Sequence, residues 1–310
     1  MKRYDYDLLV VTGITATGKT SLAAHCAAKF NGEIISADSR QVFRGMTIGT
    51  GKDLDDYVIE GKPIPHHLVD ICDAGDTYSV FQFQQDFLSA MEDIRAHERF
   101  PVLSGGTGLY VEAVVKKYKL LDVPRNDELR DQLRKKSLEE LTQLLAAKKS
   151  LHNTTDVDTC QRAIRAIEIA EFYEKFDVKE TKMPDYKPLV VAPSFDRPQI
   201  RKRITERLHQ RLNEGMVEEV QELIKKGVPP EKLISYGLEY KFITWYLTGE
   251  MDYSTMVERL NIAIHQFAKR QMTWFRRMER KGTRIHWIDG YLPMEEKVQH
   301  ISSLLNSVRQ

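Results

Sequence analysis

The 310 residues predict an α/β fold, a parallel sheet core broken by a helical insertion, on three observations. Short apolar runs alternate with helical patterns over the first 120 residues, as parallel sheets require, because their strands are buried on both faces. The first run, Leu8–Val11, leads into Gly13-Ile14-Thr15-Ala16-Thr17-Gly18-Lys19-Thr20, which matches G-x-x-x-x-G-K-[ST], and then into an Ala- and Leu-rich helix from Ser21 to Phe30. Strand, glycine loop and helix in that order mark a P-loop, so the core is P-loop NTPase-like. Beyond Pro124 the texture changes to charged amphipathic helices, and at "PLVVAPSF" (188–195) an apolar strand returns.

The core strands are predicted at Leu8–Val11, Glu33–Ala37, Leu68–Ile71 and Pro101–Leu103. In the insertion, "NDELRDQLRKK" and "SLEELTQLLAAKK" read as helices, the second opened by a capping box of Ser137 and Glu140. A third helix runs from near Asp158 through "QRAIRAIEIAEFYEKF", and "VKETKMPDYKP" is an irregular connector. The organisation is therefore a catalytic core over 1–120 and 188–310 with C-terminal helices, and an insertion over 121–187. From 198 onward the chain is mostly helical, with a long segment near 254–281.

Apolar residues make up 42% and charged residues 29%, ordinary for a globular protein with a sizeable core. Net charge is +1, so an argument for nucleic acid must be local. Cys26, Cys72 and Cys160 are too far apart for a metal-ligand spacing and odd in number for a disulfide framework. No apolar stretch approaches the ~20 residues that span a bilayer, and no signal peptide is visible. A cytoplasmic monomer without membrane contact is expected.

In the P-loop, backbone N–H groups and the helix N-terminus face a phosphate, Lys19 adds a full charge, and the Thr20 hydroxyl can hold Mg²⁺. Asp38 follows a strand and lies at the carboxyl edge where open α/β sheets bind ligands. It can serve as a Mg²⁺ ligand, as a general base, or as a turn and cap residue. "PVLSGGTGLYVEAVV" (101–115) is a second strand–glycine–helix turn, with Thr107 either at a ligand or at a plain cap. Arg203, Arg207 and Arg211 share one helix face and either meet a diphosphate or solvate the helix.

Over 262–281 a helical wheel gathers Lys269, Arg270, Arg276, Arg277 and Arg280 within roughly a 120° arc, opposite Ile264, Phe267, Trp274, Phe275 and Met278. Seven Lys or Arg and one acid, Glu279, lie between Lys269 and Arg284, which suggests a polyanion such as an RNA backbone. A solvated face would mix signs.

"GITATGKT", "GEIISADSRQVFRGMTIGTGKD", "HHLVDI", "SGGTGLY", "QRAIRAIEI" and "HQFAKRQMTWFRR" together resemble the tRNA dimethylallyltransferases, the isopentenyl-diphosphate:tRNA transferase family, along nearly the whole chain. The resemblance implies transfer of a dimethylallyl group from dimethylallyl diphosphate to N6 of the adenosine 3′ of the anticodon, position 37 of tRNA. It implies that the insertion grips the anticodon stem-loop. It assigns the base to Asp38, a catalytic-site threonine to Thr107, a catalytic arginine to Arg207, and diphosphate binding to Gly13 through Thr20. The same resemblance places Asp38, Ser39, Arg40, Gln41, Thr107 and the segment Gln161, Arg162, Ala163, Ile164 and Arg165 against tRNA; Lys269, Arg270, Arg276 and Arg277 join them from the basic helix. Where family members commonly carry "GYRQ", this chain has Gly237, Leu238 and Glu239, an acid in place of an arginine.

On this reading the P-loop holds a leaving-group diphosphate, with Mg²⁺ on Thr20 as cofactor. The rivals are prenyl transfer to a free adenine nucleotide, a P-loop small-molecule kinase, and a non-catalytic RNA-binding P-loop protein.

Overall fold

A computed structural model describes residues 4–148, 157–175 and 184–306. The chain divides into two compact units, Met1–Tyr118 with Pro184–Gln310, and Lys119–Met183.

The first unit opens with β1 (Leu8–Val11), all four residues buried, and α1 (Lys19–Phe30), which starts at the left-handed Gly18. There follow β2 (Gly32–Ser36), a small antiparallel pair of β3 (Val58–Ile59) and β4 (Lys62–Pro63), and β5 (His66–His67). α2 (Val80–Ala96) begins with a capping box between Ser79 and Gln82, and leads to β6 (Phe100–Ser104) and α3 (Gly108–Val115).

Residues 68–71 are not the predicted strand. Leu68 and Asp70 take left-handed φ values of 62° and 55°. The segment pairs instead with the turn after β2, Asp70 N–H donating to Gln41 O and Ile71 N–H to Val42 O. Lys52, fully buried, holds Asp70 at 2.5 Å and donates to Phe43 O at 2.8 Å. A buried ammonium needing a carboxylate decides the local backbone here, and apolar pattern alone does not reveal that.

The second unit contains α4 (Asp127–Leu133), α5 (Leu138–Lys148) and α6 (Cys160–Lys175). The Ser137–Glu140 box caps α5 in both directions, at 2.7 and 3.3 Å. Leu133, Leu141, Leu145, Ala163, Ile164 and Ile167 form the unit's core. Glu168 is buried beside them. Against that burial, which alone would raise it, Arg130, the Asn126 N–H and Arg165 hold its carboxyl down to about 2. The predicted connector 178–188 lies mostly outside the described residues.

The chain returns to the first unit with β7 (Pro188–Ser194), then α7 (Arg197–Asn213), α8 (Met216–Lys225), α9 (Pro230–Tyr236), α10 (Leu238–Leu247), α11 (Tyr253–Arg280), β8 (Ile285–Asp289) and α12 (Met294–Leu305). Asp196 caps α7 by accepting from Gln199 N–H at 2.8 Å, and Asp252 caps α11 from Thr255 N–H at 2.9 Å. All six strands of the main sheet are parallel, in the order β5-β2-β6-β1-β7-β8. β8 has no counterpart in the sequence reading; it pairs with β7 from Val190↔Ile285 to Ser194↔Asp289 and closes the edge of the sheet. Leu9, Val11, Ile34, Val102 and Val191 meet α1 and α12 in the core below the sheet.

Candidate active site

Three backbone turns meet at the carboxyl ends of β1, β2 and β6, and hydrogen bonds lock them together. Thr12 Oγ1 donates to Gly105 O at 2.9 Å, tying the P-loop to the second glycine turn. Inside the loop, Thr17 Oγ1 donates to Ile14 O at 2.9 Å and Lys19 Nζ to the same oxygen at 3.2 Å. The turn after β6 lies so close to the end of β2 that a Cβ on Gly105 would come within 2.2 Å of Ala37 O. Only glycine permits that approach. Thr107 is then placed to accept Ser39 N–H on its Oγ1 at 3.0 Å. Asp38 Oδ1 accepts Arg40 N–H at 2.9 Å, an Asx turn that leaves the other carboxylate oxygen open to a ligand.

The three arginines of α7 face this corner. Arg203 Nε donates to Ala16 O at 2.7 Å, and its guanidinium lies 4.7 Å over the Phe195 ring. Arg207 pairs with Asp53. Arg211 stands 3.9 Å from the same carboxylate, and its buried Nη2 has no hydrogen-bond partner among the described residues. Gly51 makes room for it, since a Cβ there would fall 1.8 Å from that nitrogen.

Burial pushes the Lys19 ammonium down to about 8; Arg207 and Arg211 push the same way, and Asp38 and Asp53 oppose them. Burial, then Arg207, also lowers Arg211. Cations gathered this closely, with Lys19 and Arg211 lowered first by burial and then by Arg207, make a strongly positive corner of the sheet.

Sequence reasoning missed Gln271. It interrupts the apolar stripe of α11 and is buried. Its Oε1 accepts Thr15 N–H at 2.9 Å and its Nε2 donates to Gly106 O at 2.8 Å, so one side chain clamps both glycine turns. A single polar residue on a core stripe, at helical spacing between Ala268 and Phe275, is the signal that could have found it.

Several expected contact residues are spent on structure. Gln41 is buried, donating to Gly51 O at 3.1 Å and accepting from Ser36 Oγ at 3.2 Å, so its side chain shapes the loop. Ala163 and Ile164 lie in the core of the second unit. Arg165 is tied to Glu168 and to Val123 O, whereas Gln161 and Arg162 are exposed.

On α11, Lys269, Arg270, Arg276 and Arg280 are exposed, as the wheel predicts. Arg277 leaves that face. It reaches the buried Glu112 at 2.6 Å and stacks 4.0 Å over Trp274, because α3 brings a carboxylate under this turn of the helix. Ile264, Phe275 and Met278 are buried as predicted, whereas Phe267 and Trp274 are half-buried.

A P-loop on a parallel sheet, faced by arginines from a later helix and by an aspartate and a threonine on neighbouring strand ends, defines a P-loop-type protein. Residues 41–278 match the family model described as IPP transferase, and the chain belongs to that family. It is 56% identical over 301 residues to tRNA dimethylallyltransferase 2 of Bacteroides fragilis, covering 97% of this chain and 98% of the relative. It is also 56% identical over 308 residues to tRNA dimethylallyltransferase 1 of Parabacteroides distasonis, with coverage of 97% and 98%. The fold matches the crystal structure of the full-length tRNA isopentenylpyrophosphate transferase from Bacillus halodurans with a TM-score of 0.69 at 29% identity, covering 97% of this chain and 95% of that one. A eukaryotic dimethylallyltransferase acting on tRNA shares the fold with a TM-score of 0.75 at 22% identity, covering 98% of this chain and 80% of that one.

Proposed function

We propose that this protein transfers the dimethylallyl group of dimethylallyl diphosphate to N6 of the adenosine at position 37 of tRNA. The observation that carries the reading is the meeting of a cation cluster, Lys19, Arg207 and Arg211, with Asp38 and Thr107 at one corner of the sheet.

The P-loop N–H groups, Lys19 and Arg207 bind the diphosphate and stabilise the charge it gains as the C1–O bond breaks. N6 attacks C1, the C1–O electron pair leaves with the diphosphate, and the N6 proton passes to the Asp38 carboxylate. Thr107, held by Ser39, lies beside Asp38 and orients the adenine. The base must leave its stack to reach this corner, as base-modifying enzymes require. Exposed Lys269, Arg270, Arg276 and Arg280 take RNA phosphates, and the second unit grips the anticodon stem-loop through a surface that includes Gln161 and Arg162.

Among the described residues, the Thr20 hydroxyl at the start of α1 and the Asp38 carboxylate offer oxygens to a metal. Among the described residues no group of three His, Cys, Asp or Glu is arranged as a cage. This donor set fits Mg²⁺, which keeps several waters and takes substrate phosphate oxygens. Thr20 would hold it, and when bound it supplies neutralising charge to the leaving diphosphate. Among the described residues no helix is long and apolar enough to cross a membrane. A monomer acting in the cytoplasm, where tRNA is, completes the reading.

Incubation with dimethylallyl diphosphate and either tRNA or AMP, and separately with ATP and candidate acceptors, tests it. Prenylated tRNA is the expected product. Prenylated AMP or a phosphorylated acceptor in its place assigns the chain to one of the rival activities.

A further inference from the structure

Two acids beside the cation cluster, Asp53 and Glu239, are not used in the transfer proposed above. Asp53 takes Arg207 directly and lies 3.9 Å from Arg211. Glu239 lines the same small cavity as Thr15, Arg207 and Arg211, beside Leu208 and Ile264. Burial raises the Glu239 carboxyl, and Arg211 and Arg207 pull it back.

Local structure places both acids deliberately. Glu219 accepts the N–H groups of Thr47, Ile48 and Gly49 at 2.8, 2.6 and 3.1 Å, and Tyr240 donates to it at 2.7 Å, so the loop that carries Asp53 is anchored to α8 and α10. Glu239 enters the cavity from a sharp corner in which Gly237 and Leu238 have φ values of 78° and 42°. A leucine in the left-handed region is strained, and this corner sets where the first turn of α10 points.

Resting on the reading of the P-loop as a diphosphate site, we propose that Asp53 and Glu239 are positioning residues that act as built-in counter-anions. They hold Arg207 and Arg211 before the donor binds, and they compete with inorganic pyrophosphate after transfer so that it is released. A cluster of four cations, Lys19, Arg203, Arg207 and Arg211, would otherwise retain a multiply charged product. Acids at these two positions offset part of the positive charge without removing any donor that the leaving group needs.

The test compares wild type with Asp53→Asn and Glu239→Gln, which keep shape and remove charge, and with Asp53→Glu and Glu239→Asp, which keep charge. Calorimetric titration with inorganic pyrophosphate in Mg²⁺ is run beside single-turnover and steady-state transfer to tRNA, with a melting curve for each protein. In the two amide variants the pyrophosphate Kd is expected to fall about tenfold, equivalent to about 1.4 kcal/mol. Single-turnover transfer stays within about threefold while steady-state turnover drops, because product release has slowed. The charge-conserving variants stay near wild type. An unchanged or weaker pyrophosphate Kd in amide variants that melt normally overturns the proposal. If one variant does not fold, the other decides, because either acid alone lowers the positive charge of the cavity. Failure of wild type to bind pyrophosphate at all would overturn the diphosphate reading itself.

Discussion

Lys19 and Asp38 each have a bland and a chemical role open to them, and the two make different predictions. The Lys19 ammonium lies at about 8 in the free protein because it is buried beside Arg207 and Arg211, with Asp38 and Asp53 opposing. An anion favours the charged form, so binding raises the Lys19 pKa. Pyrophosphate affinity should therefore be greatest below pH 8 and fall by up to about tenfold per unit above it, as binding comes to require proton uptake. Lys19→Arg stays charged and should lack that limb, which also separates the effect from titration of the ligand. Calorimetry from pH 6.5 to 9.5 on both proteins checks it, and parallel curves count against Lys19 as the phosphate contact. Asp38→Asn addresses the other residue. The amide oxygen can still accept Arg40 N–H and keep the turn, but it cannot take a proton. Turnover should fall by about 10²–10⁴-fold with tRNA affinity and melting retained. Near-normal single-turnover transfer would leave Asp38 with the turn alone.

At the scale of elements, α11 shows what periodicity reveals and what it cannot. The 3.6-residue pattern separates a basic face from an apolar one over 262–280, and most of that division holds in the structure. It does not reveal that Gln271, on the apolar side, is matched by Thr15 N–H and Gly106 O, because those partners are 256 and 165 residues away. Nor does it reveal that Arg277, at the margin of the basic arc, is claimed by Glu112 from α3. Adjacent arginines should thus behave oppositely. Arg277→Gln leaves Glu112 buried without its charge partner and should cost about 3–5 kcal/mol in chemical denaturation, with little change in the salt dependence of tRNA binding. Arg276→Gln should melt like wild type, weaken tRNA binding several-fold, and flatten the log K against log salt slope by up to about 0.7–0.9. Equal salt slopes for wild type and Arg276→Gln would remove this face from the RNA interface.

For the whole molecule, the parallel sheet determines which distant residues become neighbours. It brings the turns at 13–20, 38–41 and 105–107 to one edge, and α7 and α11 then supply arginines and a glutamine, Arg203 lying 187 and Gln271 256 residues from their P-loop partners. The sheet and its insertion were legible because strands buried on both faces leave uninterrupted apolar runs. β8 was not, because its Ile-His-Trp-Ile-Asp run mixes polar and apolar residues at a half-exposed edge. The insertion leaves and rejoins the first unit at one place. Lys117 pairs with Asp185, and Tyr186 Oη donates to Val114 O at 2.7 Å across the two ends. A short bridge can therefore replace 119–183 without straining the sheet, about four to six Gly and Ser residues being enough for such a turn. The shortened protein should unfold cooperatively and bind pyrophosphate within about threefold of wild type, since every residue proposed to hold the diphosphate lies in the first unit. Its affinity for tRNA should drop well beyond the loss from Arg276→Gln, and the remaining binding should keep the salt slope contributed by Lys269, Arg270, Arg276 and Arg280. Binding of tRNA by wild type and shortened protein across a salt series, with melting curves for both, measures each of these. If tRNA affinity survives the replacement intact, RNA recognition belongs to the first unit alone and the second unit has another purpose.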